Sequence, residues 1–132
     1  MSVINDVLMA VIGMTDNLNL YAPIIIGSLP TDNGLCMAIA AGGANSTFLN
    51  KGMQYVIDVV FNGKHADQQT VSDTLNNVHQ VLTQTKNYPH ADTYQITNIE
   101  TSATPTYLDR EANKQWLYGS GLRIKFYYRK ED

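Results

Sequence analysis

The residues best suited to chemistry occur in two copies of one triplet. His65-Ala66-Asp67 and His90-Ala91-Asp92 each place an imidazole close to a carboxylate, a pairing that can bind a metal ion or transfer protons. The sequence between them predicts a helix of about 20 residues, which spans roughly 30 Å at ~1.5 Å per residue. The two triplets therefore cannot form one site within a single chain, and we interpret each as a polar loop beside the helix. The third histidine, His79, lies in that helix off its apolar stripe, and we predict that it is exposed.

The remaining candidate groups do not form a catalytic pattern. None of the serines lies in a Gly-x-Ser-x-Gly motif, and no glycine-rich phosphate loop ends in Lys-Ser or Lys-Thr. Gly119-Ser120-Gly121 lacks the third glycine of a dinucleotide-binding turn. Asp109 and Glu111 could form a carboxylate pair, but such a pair in a polar loop is usually solvated. We therefore predict no catalytic residue, no metal site and no cofactor, and we do not expect an enzyme.

One strand and one helix in the middle of the chain carry the clearest structural pattern. Large apolar residues occupy every second position along residues 53–61, which predicts a strand with one buried apolar face. Its members are Met53, Tyr55, Ile57, Val59 and Phe61. A helix follows, with Asp67 as its N-cap and Pro89 beyond its end, and its apolar stripe recurs at steps of four, three and four. That stripe consists of Val71, Leu75, Val78 and Leu82. The helix is predicted to lie on the sheet through these two faces.

The rest of the chain is predicted to form further strands and one more helix. We predict a short helix over residues 3–12, a strand over 23–27 and its hairpin partner over 35–40. Residues 41–51 are predicted to form a glycine-rich mobile loop with an apolar tip at Phe48 and Leu49, and residues 103–115 to be irregular. A strand over 93–102 and a long last strand over 116–129 complete the chain. The prediction is a single α+β domain over residues 1–132, with one mainly antiparallel sheet, helices on one face and the order α-β-β-β-α-β-β.

Composition narrows the class of protein. The 132 residues are 44% hydrophobic and 16% charged, as in an ordinary globular domain, and the net charge is −3. A negative balance argues against a dedicated DNA-binding domain. The one cysteine, Cys36, lies in an apolar run and is predicted to be a buried structural thiol, as suits a reducing cytosol. We expect neither a signal peptide nor a membrane-spanning segment.

The last strand carries a basic face. Arg123, Lys125 and Arg129, with Tyr127 among them, could contact phosphates or stack on a base. We interpret them instead as the solvated outer face of an edge strand, with salt links between subunits as a further alternative. The residues alone leave these alternatives open.

Three stretches together resemble a known family. The first runs from Ile24 through Pro30 to the Ala41-Gly42-Gly43 segment, and the second from Lys51-Gly52 through Asn62-Gly63-Lys64 and the following helix. The third is the ending, with Pro105-Thr106-Tyr107-Leu108-Asp109, Trp116-Leu117-Tyr118 and Phe126-Tyr127-Tyr128. The chain is similar to minor capsid proteins encoded in the head-to-tail joining region of long-tailed bacteriophages and prophages. These in turn resemble the tail terminator, or tail completion, proteins.

This resemblance implies a non-catalytic virion protein, assembled in the bacterial host cytoplasm. Its expected partners are copies of itself in a ring, typically of six, the tail-tube protein and the head connector. No contact with a membrane is expected, and nucleic acid would at most pass through the ring lumen. The expected subunit interface comprises Phe48, Leu49, Asp109, Glu111, Arg123, Lys125 and Arg129. The alternative is a small stand-alone α+β binding protein, a dimer that holds a ligand or peptide.

Overall fold

Two helices and five strands build the part of the chain that the structure describes. The computed structural model of the protein covers residues 3–49 and 52–128, with residue 3 and residues 41–49, 52 and 53 described by their backbone alone. The elements are α1 (Val3–Gly13), β1 (Ile24–Ile26), β2 (Gly34–Leu49), β3 (Gly52–His65), α2 (Gln68–Gln84), β4 (Tyr94–Arg110) and β5 (Trp116–Tyr128). The predicted α+β class and the order α-β-β-β-α-β-β are confirmed.

The strands form one mixed, mostly antiparallel sheet in the order β1-β2-β3-β5-β4. α2 carries the chain from β3 to β4 across the position of β5, and β5 then enters between them, antiparallel to both. Consequently β5 is an interior strand, and the interpretation of its basic face as part of an edge strand is wrong.

The predicted hairpin between the first two strands is also wrong, because β1 pairs with β2 in parallel, with Ile24 opposite Leu35. The segment between them doubles back and is held by partners that are distant in sequence. The backbone N–H of Asn33 donates to Gln115 Oε1 at 2.8 Å, and Asn113 Nδ2 donates to the carbonyl oxygen of Thr31 at 2.9 Å. These long-range contacts fix the direction of β2. A turn sequence such as Asn33-Gly34 involves only neighbouring residues and therefore cannot predict them.

Two segments predicted as loops are strands. Residues 41–49 continue β2 beside β3, with a register shift between Ile39 and Ala44 that absorbs the Ala-Gly-Gly residues as a bulge. Residues 103–110 continue β4, which also contains register shifts. Pro105 is compatible with this strand because β4 is an edge, where one missing N–H does not interrupt the sheet. Only the turn over residues 111–115 remains irregular, closed by the N–H of Glu111 donating to the Gln115 carbonyl at 2.8 Å.

The core forms where α2 lies on the sheet, as predicted. Ile57 on β3 and Leu75 on α2 are both fully buried. The whole predicted stripe of the helix is buried, namely Val71, Leu75, Val78 and Leu82. The side chain of Met53 lies outside the described residues. α1 adds three buried residues to the same core, Val7, Leu8 and Val11. Cys36 is buried as expected, and burial raises the pKa of its thiol.

Candidate functional site

The two histidine triplets lie at opposite ends of α2, whose 17 residues extend roughly 25 Å. His65 contacts the ring of Tyr21, with 4.6 Å between ring centroids, and its Nδ1 accepts a hydrogen bond from the Asp67 N–H at 2.9 Å. His90 forms an isolated bridge with Gln95 in front of β4. Within residues 3–49 and 52–128, no group of three or more His, Cys, Asp or Glu side chains is arranged to hold a metal ion.

His79 corrects the sequence prediction, because it is buried rather than exposed. Its ring lies between α2 and the sheet, 5% exposed, with Nδ1 at 2.8 Å from Thr101 Oγ1 and Nε2 at 2.8 Å from Ser120 Oγ. The Ser120 hydroxyl donates its proton to the Phe61 carbonyl at 2.6 Å, so its oxygen accepts from His79 Nε2–H. The Thr101 hydroxyl then donates to Nδ1 of the neutral ring. Burial lowers the pKa of His79 to about 4.

This hydroxyl–imidazole chain joins α2 to β3, β4 and β5, and it was not visible in the sequence. A His beside a Ser is a pairing that nucleophilic catalysis uses, but here the Ser120 proton is engaged by a backbone carbonyl and both groups are buried. The arrangement therefore acts structurally, by satisfying polar groups inside the core. Ser120 occupies the same alternating positions as the buried Tyr118 and Leu122, and His79 follows Val78 of the apolar stripe. These positions were the only signal that could have indicated it.

The structure separates the two predicted carboxylates. Glu111 forms an ion pair with Lys64 at 2.7 Å, and the Lys64 side chain is only 8% exposed. Asp109 is exposed on β4, where one of its carboxylate oxygens accepts the Arg110 N–H at 2.8 Å. The two groups therefore do not share one site.

The described part of the basic face is already neutralised by acidic neighbours. Arg123 Nε lies 2.9 Å from Asp58 Oδ1, and Glu100 lies within 3.6 Å of Arg123 and 3.5 Å of Lys125. The hydrogen bond that Arg123 donates to Asp58, together with the negative charge of Asp58, raises the pKa of Arg123. Arg129 lies outside the described residues. An ion network of both signs on the face opposite the helices favours contact with a protein surface over binding to a polyanion.

Both edges of the sheet carry exposed apolar side chains. Among the described residues, no strand pairs with the outer side of β1 or of β4. On the β1 edge, Ile25 and Ile26 are 40% and 42% exposed, and on the β4 edge, Tyr107 and Leu108 are 47% and 55% exposed. Unpaired edges with apolar side chains are typical of surfaces that other chains cover.

The β4 edge is reinforced by a group of aromatic side chains. The ring of Tyr107 lies 5.9 Å from that of Trp116 and 6.1 Å from that of Tyr118, and the guanidinium of Arg110 lies 4.8 Å above the Trp116 ring. Gln68 Nε2 donates to the Tyr118 hydroxyl at 2.8 Å, which ties the group to α2. Tyr, Trp and Arg are the residue types most often found at energetically important positions of protein interfaces.

A cavity of about 400 Å³ lies next to the β1 edge, between the end of α1 and the segment that leads into β1. Its lining is mixed apolar and polar, and consists of Ile12, Thr15, Asp16, Leu18, Leu20, Tyr21, Ala22, Pro23 and Ile24. The cavity and the aromatic group of the β4 edge thus lie at opposite edges of the sheet.

Fold and surface together define an α+β subunit with exposed apolar side chains on both edges of its sheet. The family model described as bacteriophage tail terminator protein matches residues 6–128. The chain therefore belongs to the bacteriophage tail terminator family and is a structural protein of the phage virion. Among curated proteins, none matches the chain significantly. Within the described residues, neither helix is long and apolar enough to cross a membrane.

Proposed function

We propose that the protein ends growth of the phage tail tube by forming a ring at the tube end, where it also offers a surface to the head connector. The observation that carries this proposal is the family match over residues 6–128. The expected assembly is a hexamer, built in the bacterial host cytoplasm, with nucleic acid at most passing through its lumen. Subunits of a ring meet through two different patches, so their contacts close only at one angle.

The end of the β2–β3 hairpin is the proposed contact with a neighbouring subunit of the ring. The backbone of Phe48 pairs with Met53 and that of Leu49 with Gly52, which places both at the end of the hairpin. A register shift between Ile39 and Ala44 separates this end from the part of β2 that joins the core. Two apolar residues at the end of an extended hairpin are suited to insertion into a partner surface.

Charged residues are proposed to contribute to the same assembly. Arg123, Lys125 and Arg129 are proposed to meet acidic groups such as Asp109 and Glu111 of a subunit that lies against this face of the sheet. Arg123 and Lys125 already contact Asp58 or Glu100, so a neighbour would add to an existing network rather than create one. Assembly should therefore weaken modestly as salt rises, because exposed charges are screened over about 10 Å at ~0.1 M.

Purified tail tubes provide the first test. Tubes incubated with the protein and then with fresh tube subunits should stay at their original length in electron micrographs, while tubes without it should lengthen. Light scattering over a range of concentrations distinguishes the alternative, a stand-alone binding protein. A fixed dimer that does not respond to added tubes would contradict the terminator proposal.

The hairpin is tested in the producing phage. Deletion of residues 45–49, or Phe48→Ser combined with Leu49→Ser, should give overlong or headless tails. The matched control is Met9→Ser, which replaces another apolar residue, 60% exposed on α1. Tails of normal, uniform length joined to heads in the hairpin variants would show that the hairpin end is not used.

A further inference from the structure

We infer that neighbouring subunits join edge to edge, the β4 edge of one against the β1 edge of the next, with Tyr107 inserted into the cavity beside β1. This inference rests on the proposed function and identifies the partner as a second copy of this chain. It starts from the strand registers, which show that the two edge segments lie at the same level of the sheet. Ile24 pairs with Leu35, Leu35 with Gly63, Gly63 with Tyr118, and Tyr118 with Tyr107, in one row across all five strands.

The apolar side chains of the two edges also match by face. Tyr107 lies on the helix side, because its ring contacts Tyr118 of the core, and Ile24 of the same row lies on that side as well. Leu108 lies on the opposite side, since a Cβ on Gly119 would come within 2.6 Å of it and Gly119 shares its row with Asn62 and Ile25. Placing one edge beside the other therefore brings Tyr107 next to Ile24 on the helix side and Leu108 next to Ile25 on the opposite side.

The directions of the two edge strands, β1 and β4, also favour this junction. β1 runs parallel to β2, and each of the next three pairings is antiparallel, so β1 and β4 run in opposite directions. Rotation about an axis along the strands preserves direction from one subunit to the next. The junction would then be antiparallel, the commoner pairing in sheets. Because the two edges differ, the contact is heterologous, as ring closure requires.

The cavity explains how so short a strand can hold a neighbour. β1 has three residues, which permit only a few main-chain hydrogen bonds, so a side chain must supply most of the contact. Ile24 both begins β1 and lines the cavity, which therefore opens beside the row that contains Tyr107. Its volume of about 400 Å³ accommodates an aromatic ring, and Asp16 in the lining offers an acceptor for the hydroxyl. The rings of Trp116 and Tyr118 restrict Tyr107 before binding, which lowers the entropic cost of insertion.

The experiment uses one variant for each edge. Tyr107→Asp disables the β4 edge, Ile25→Asp disables the β1 edge, and Met9→Ser is the control for loss of an exposed apolar residue elsewhere. Analytical ultracentrifugation and electron microscopy measure assembly of the full chain, alone and on tail tubes. Circular dichroism verifies that each variant is folded. We expect rings from the wild type and from Met9→Ser, and single subunits from each edge variant.

An equimolar mixture of the two edge variants is the discriminating sample. Each retains the edge that the other lacks, so the mixture should yield dimers that cannot grow into rings. Tyr107→Phe should retain rings with reduced affinity, because only the hydroxyl is lost. If both edge variants form rings as the wild type does, the edge-to-edge junction is overturned while tube capping stands. If the wild type neither forms rings nor caps tubes, both proposals fail.

Discussion

Acidification should destabilise the protein specifically through His79. The ordinary pKa of 6.5 falls to about 4 in the folded protein because the ring is buried. A pKa difference of one corresponds to ~1.4 kcal/mol, so about 3 kcal/mol of the stability present above pH 6.5 depends on the ring staying neutral and is lost on acidification. The sign follows from the lowered folded-state pKa. The unfolded chain binds a proton as pH falls below about 6.5, and the folded chain does so only near about pH 4, so stability is lost across that interval.

The assay compares the wild type with His79→Gln in urea unfolding between about pH 7.5 and pH 5, an interval in which unperturbed carboxylates change little. The wild type should lose ~2 kcal/mol more than the variant over this range, because most of the difference in proton binding develops above pH 5. At neutral pH the variant should itself be less stable by ~1–2 kcal/mol, since hydrogen bonds in the core are lost.

His90→Gln is the matched control. His90 is exposed, so this variant should retain the pH dependence of the wild type. Equal losses in the wild type and in His79→Gln between pH 7.5 and 5 would refute the assignment of the acid sensitivity to the buried ring. Nitrogen NMR of the imidazole supplies an independent measurement, since the geometry requires the proton on Nε2.

Further substitutions test the packing of the core and the ion pair of the buried Lys64 with Glu111. Leu75→Ala should lower the free energy of unfolding by ~2–5 kcal/mol in urea titrations, because the side chain is fully buried on the sheet. Gly63→Ala should cost ~1–3 kcal/mol, since the new Cβ would lie 2.7 Å from Leu75 in the core. Gly119→Ala would bring its Cβ against Asn62 and the exposed Leu108 rather than into the core, and should cost less, so a reversed order in thermal melts would contradict this account. Glu111→Gln should cost ~1–3 kcal/mol by removing the partner of the buried Lys64, and adding Lys64→Met should recover part of that loss.

The resemblance to the family, seen in the order of apolar strands and turns, is confirmed by the family model that matches residues 6–128. The interface residues could not be verified in the same way, since exposure depends on which edges the finished sheet leaves open. Phe48 and Leu49 were singled out as a loop tip, and the structure places their backbone at the end of a hairpin. Tyr107 and Leu108, within the stretch predicted to be irregular, emerged as exposed only once β4 was seen to be an edge.

The sequence by itself determined the elements whose pattern is local. A buried strand face follows from the period of two along residues 53–61, and a buried helix face from the apolar stripe between Val71 and Leu82. These two faces pack together as predicted. The tertiary structure alone decided the direction of β1, the interior place of β5 and the burial of His79. The physical reason is that these features depend on partners distant in the chain. Thr101 lies 22 residues and Ser120 41 residues from His79, and their hydroxyls, brought together by the sheet, make a buried imidazole stable.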